Sequence, residues 1–94
     1  MNMDGKVQIS FLTAFKGGRS QPVVQNEHRV TFLFNGQGFD ARLYYAEADL
    51  PIEAGASVEA DVKFLNADLV KAFLRKATNF DIWEGKKTAH GTML

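Results

Sequence analysis

An all-β fold of six short antiparallel strands is what this sequence predicts, and three features lead there. Apolar and polar residues alternate with a period of two over several separate stretches. Glycine, proline and asparagine gather between those stretches, and the gaps are too brief for the crossover helices that parallel strands require. One stretch alone, "NADLVKAFLRKATN", changes to helical spacing.

The first strand is read from Lys6 to Phe15, where Val7, Ile9, Phe11, Thr13 and Phe15 alternate with Gln8 and Ser10; Gly17 and Gly18 end it. After a loop containing Pro22, His28 to Asn35 restarts the alternation with Val30, Phe32 and Phe34 on one side. "NGQG" from Asn35 to Gly38 supplies residues that tolerate positive φ, the chemistry of a hairpin turn. Phe39, Ala41, Leu43 and Tyr45 then alternate with Asp40, Arg42 and Tyr44, so Tyr44 is expected to face outward as an exposed aromatic. Pro51 and Gly55 frame the next turn, and Val58, Ala60, Val62 and Phe64 alternate with Glu59, Asp61 and Lys63. Leu69, Val70, Phe73, Leu74 and Ala77 predict one short amphipathic helix from about Ala67 to Ala77, with Asn66 or Asp68 as its N-cap. "FDIWE" and the run from Thr88 to Leu94 are two last strands around Gly85, Lys86 and Lys87. Closing six strands into a barrel removes exposed edges, and a two-layer sandwich carries the same signature.

Composition bounds the function. A chain of 94 residues that is 46% hydrophobic supports one core, so residues 1–94 are read as one domain. Zero cysteines exclude disulfides, thiol catalysis and thiolate metal sites, and suit a reducing cytosol. Eleven basic and eleven acidic residues leave no net charge, so binding to nucleic acid or an anionic surface requires a local patch. The start "MNMDGKVQ" lacks the features of a signal peptide and no apolar run reaches the ~18 residues of a membrane span, so a cytoplasmic protein without membrane association is expected.

The run Gly85, Lys86, Lys87, Thr88 looks like the end of a phosphate-binding loop, but that loop needs a glycine where Phe80 stands and a helix where a strand follows. A solvated turn fits instead, and GTP binding is not expected. His28 and His90 have no neighbouring residues at metal-ligand spacing and are read as strand or surface residues. Glu59 and Asp61 share one side of their strand as solvated acids, and Ser10, Ser20 and Ser57 lie in no nucleophile motif. No catalytic residue, cofactor or metal site is therefore assigned. Lys71, Arg75 and Lys76, with Lys86 and Lys87, would form a basic patch beside Trp83 if the fold brought them together.

"KGGRSQPVV", "HRVTFLF" and "FDIWEGKKTAHGTML" stand in an order that resembles the C-terminal β-barrel domain of translation elongation factor Tu. The matching residues are Gly17, Gly18, Arg19 and Pro22; Arg29, Phe32 and Phe34; Gly55; and Phe80, Ile82, Glu84, Gly85, Thr88 and Gly91. The resemblance runs from about Lys6 to Leu94 and implies a six-stranded antiparallel β-barrel rather than a sandwich, here with one short inserted helix. It further implies a non-enzymatic module that binds a protein partner or a second copy of itself, with a link to translation. The alternative it implies is an RNA or tRNA binder. Glu84, Lys86, Lys87 and Arg75 are the candidate RNA contacts, and Arg19, Arg29, Tyr44 and Trp83 the candidate partner contacts. The chain departs from the family at Thr31, where a Gln contact is usual, at Asp40, where a Thr contact is usual, and at Asn35, which replaces an Arg. The carboxylate at Asp40 would repel phosphate.

Overall fold

The structure, a computed structural model, describes residues 2–94. Six antiparallel strands, β1 (Gly5–Phe11), β2 (Glu27–Phe34), β3 (Gln37–Tyr44), β4 (Ser57–Phe64), β5 (Asn79–Trp83) and β6 (Lys87–Met93), close into a barrel in the order β1-β4-β3-β2-β5-β6. The all-β barrel expected from the sequence is thus the fold observed. Alternation explains it residue by residue. In β4 the side chains of Ala60, Val62 and Phe64 are buried, while Glu59 is exposed and Asp61 and Lys63 are half-buried. Phe32, Phe34, Phe64 and Phe80 meet at the centre, with Phe32 and Phe80 stacked at 4.4 Å between centroids.

The β2–β3 hairpin turns on Asn35 (φ 51°) and Gly36 (φ 81°). Both central residues have positive φ, as a two-residue turn matched to the twist of the strands requires. That turn fixes the register: Arg29 lies opposite Arg42, and Thr31 opposite Asp40.

Two expected elements differ. β1 ends at Phe11 rather than Phe15, because Thr13 caps a 3-10 turn at Ala14–Lys16, accepting from the Lys16 backbone N–H at 3.3 Å. Phe15 consequently projects into solvent, 97% exposed. The helix expected over 67–77 is a 3-10 helix covering only Ala67–Phe73, and the Asn66 side chain does not cap it. In a 3-10 helix residues three apart eclipse, so Val70 and Phe73 share the inward side. Val70 is fully buried and Phe73 stacks on Phe34 at 4.8 Å, while Leu69 is left exposed. Arg75 and Lys76 therefore lie beyond the helix, in the connection to β5.

Candidate functional site

Arg19 lies in the β1–β2 loop, His28 near the start of β2, Tyr45 just past β3, Glu84 just past β5 and Thr88 near the start of β6. Antiparallel closure brings all five to one end of the barrel. His28 Nε2 and the Arg19 guanidinium converge on Glu84 Oε1, the first at 2.6 Å, and the Thr88 hydroxyl donates to Glu84 Oε2 at 2.5 Å. His28 Nδ1 lies 2.7 Å from the Tyr45 hydroxyl. Nε2–H donates to the carboxylate, and when the ring is charged Nδ1–H donates to the Tyr45 hydroxyl oxygen as well. Arg19 Nε also donates to the Gln21 carbonyl at 3.0 Å, which ties the loop to the site.

Thr88 reaches Glu84 because β6 bulges. The register shifts between Ile82 and Trp83, whose partners are Ala89 and Lys87, so Thr88 is the extra residue. Thr88 and Ala89 are in succession both buried, which a regular strand does not allow.

The electrostatics follow from this packing. Burial alone pushes the Glu84 carboxyl up, but the hydrogen bonds from His28 and Thr88, the His28 charge and the Arg19 bond outweigh it and hold the group at about 2. Burial, reinforced by the Glu84 charge and opposed by Arg19, pushes the Tyr45 phenol well above its ordinary value, so it stays neutral. Both Glu84 oxygens are occupied within the protein. The cluster fastens a loop to a turn, with three donors held on the Glu84 carboxylate.

The second feature is an open groove of about 680 Å³ on the outer face of β2, β3 and β4, bounded by Trp83. Its floor is set by register. Arg29 lies opposite Arg42, and Arg42 opposite Lys63, so three cations form one row across three adjacent strands. At about 4.8 Å between strands the row is about 10 Å long. Like charges placed directly opposite destabilise a sheet. Arg42 approaches Glu27 at 3.4 Å and Lys63 approaches Asp4 at 3.8 Å, while Arg29 makes no ion pair among the described residues. In the adjacent row Trp83 lies opposite Thr31, and Thr31 opposite Asp40. Thr31 donates to Asp40 at 3.2 Å, and Asp40 has no cationic partner among the described residues. Leu65, 80% exposed, and Trp83, 44% exposed, give the groove apolar surface.

Three of the expected partner contacts, Arg29, Tyr44 and Trp83, meet in this groove. Tyr44 is half-buried there rather than exposed. Arg19 does not line the groove, but its partner Glu84, one of the expected RNA contacts, does. The expected RNA contacts do not converge. Arg75 precedes β5 and Lys86 follows it, so the five residues of that strand, about 16 Å of chain, separate them. Lys87 pairs with Asp81 at 3.2 Å and lines a different depression, beside His90; Lys71 pairs with Asp68 at 3.3 Å. Sequence reasoning missed Arg42, Lys63 and Leu65 in the groove, and His28, Tyr45 and Thr88 in the cluster. Among the described residues no group of three His, Asp or Glu side chains is arranged to hold a metal, and no helix is long and apolar enough to cross a membrane.

Fold and groove together define an antiparallel β-barrel with a cationic and aromatic outer face. Compared with protein-family models and with curated proteins, the sequence matches none.

Proposed function

We propose that this protein is a non-catalytic β-barrel module that binds another protein through the outer face of β2, β3 and β4. The observation that carries this reading is the row Arg29, Arg42 and Lys63, in which like charges face one another beside Trp83 and Tyr44. A surface that accepts a repulsive arrangement next to an exposed tryptophan and a half-buried tyrosine has the composition of an interface, where Arg, Trp and Tyr are enriched. The resemblance of Gly17 to Pro22, Arg29 to Phe34 and Phe80 to Gly91 to the elongation factor barrel makes components of translation the first partners to try. Affinity capture of the purified protein from cell extract, with nuclease-treated and untreated arms read by mass spectrometry, tests the reading. Recovery of RNA without a protein that survives nuclease treatment would overturn it.

A second reading, RNA binding, has one observation in its favour: the same cations stand beside Trp83, an aromatic on which a base can stack. It predicts tRNA affinity that falls steeply with salt and is reduced by Arg29→Ser. Gel-shift titration at low salt checks it.

A further inference from the structure

We propose that the groove takes an extended, acidic segment of the partner protein, with carboxylates on the Arg29, Arg42 and Lys63 row and an apolar side chain against Trp83. The inference rests on the protein-binding reading above and adds the chemistry of the ligand.

Three observations select this occupant. The first is charge: the row places within about 10 Å one cation without an acidic partner among the described residues, Arg29, and two, Arg42 and Lys63, whose loose ion pairs with Glu27 and Asp4 a ligand carboxylate can exchange; alternate side chains of an extended segment are about 6.8 Å apart, so two acidic residues with one residue between them span most of the row. Carboxylates there would relieve the mutual repulsion of Arg29 and Arg42, and arginine accepts them bidentately. The second is Asp40, an exposed carboxylate in the next row whose sole hydrogen-bond donor among the described side chains is Thr31. A polynucleotide carries a charge at every backbone repeat and would bring phosphate towards Asp40. A peptide can place an N–H, a serine or a lysine there instead, so the mixed signs of the groove fit a peptide better than a polyanion. The third is apolar surface at the margins, where Trp83 and Leu65 are exposed and Tyr44 is half-buried. Such groups anchor side chains and carry most of the affinity in protein interfaces.

The groove also contains its own reporter, because Trp83 is the one tryptophan in the chain. A phage-displayed random decapeptide library is selected against the immobilised protein, the enriched peptides are synthesised, and Trp83 emission is titrated at low and high salt. Enriched peptides are expected to carry Asp or Glu beside an apolar residue and to bind more weakly as salt rises. Arg29→Ser combined with Arg42→Ser should weaken them about tenfold, the combined effect of losing two exposed ionic contacts. Circular dichroism of the double variant should match wild type, since both side chains are on the outer face. Enriched peptides without acidic residues, peptides bound equally well by the double variant, or a single-stranded RNA decamer that shifts Trp83 emission at lower concentration than any peptide would each overturn the proposal. Capture from extract separates its failure from that of the broader reading: a partner held equally by wild type and double variant refutes the acidic groove and leaves the protein-binding module standing.

Discussion

Two groups of charged side chains on the barrel are arranged in opposite ways. At one end Arg19, His28 and Glu84 are brought together with Tyr45 and Thr88, and each charged group meets a partner. On the outer face Arg29, Arg42 and Lys63 stand side by side, and although Arg42 reaches Glu27 and Lys63 reaches Asp4, Arg29 has no acidic partner among the described residues. The first arrangement lowers the energy of the folded chain, and the second raises it slightly. A charge that stabilises needs no ligand to explain it. A repulsion left standing in the free protein is what the proposed ligand would relieve, which is why the groove and not the polar cluster carries the binding proposal.

Breaking the cluster should have the largest effect. Glu84→Ala leaves Arg19 and His28 half-buried without their counter-ion, and thermal unfolding should report a loss of about 3 kcal/mol. A loss within the error of the measurement would mean that the cluster does not secure the loop. The pH dependence tests the same carboxylate without removing it. Its folded-state value of about 2 lies below the ordinary 4.5, so its contribution is fully present above about pH 4.5 and disappears as pH falls towards 2. Urea midpoints measured across that window should fall for wild type and change less for Glu84→Gln. Thr88→Val keeps the bulge's shape and removes one donor from Glu84, with an expected cost of about 1–2 kcal/mol by chemical unfolding. The smallest effect has the opposite sign. Arg29→Thr removes the repulsion across the hairpin and should raise stability by a few tenths of a kcal/mol. A loss of about 1 kcal/mol instead would make the cation row a structural element and dissolve the contrast.

Much of the barrel is legible in the sequence, because period-two alternation reports which side of a strand is buried without reference to its neighbours. Val58 to Phe64 shows this directly. The turn at Asn35 and Gly36 is readable too, and a two-residue turn there sets Arg29 opposite Arg42, so half of the cation row was available from local chemistry. Lys63 was not, since its place beside Arg42 depends on the pairing of β3 with β4 across a connection containing Pro51 and Gly55. The cluster was hidden for the same reason: its members span Arg19 to Thr88 and meet only when strand ends align. Thr88 carried a further difficulty, because a bulge breaks the alternation by which its direction would be inferred. Helical spacing found the short helix but overran its end: at three residues per turn Val70 and Phe73 pack on the core, and Leu74 to Ala77 lie beyond the helix.

The order of strand pairing has a kinetic side. β1 is made first along the chain but lies between β4 and β6, with Val7 opposite Ala60 on one edge and Met93 on the other. Its second edge can be covered only when the last strand arrives, and such non-local topologies fold in about milliseconds to seconds. The β2–β3 hairpin, closed by two residues, forms in about microseconds. Arg29 and Arg42 therefore face each other in one of the earliest structures the chain can form. A hairpin formed before the transition state would feel that repulsion as a slower rate, so stopped-flow refolding of Arg29→Thr should be faster than wild type, and an unchanged folding rate would place the hairpin's closure later.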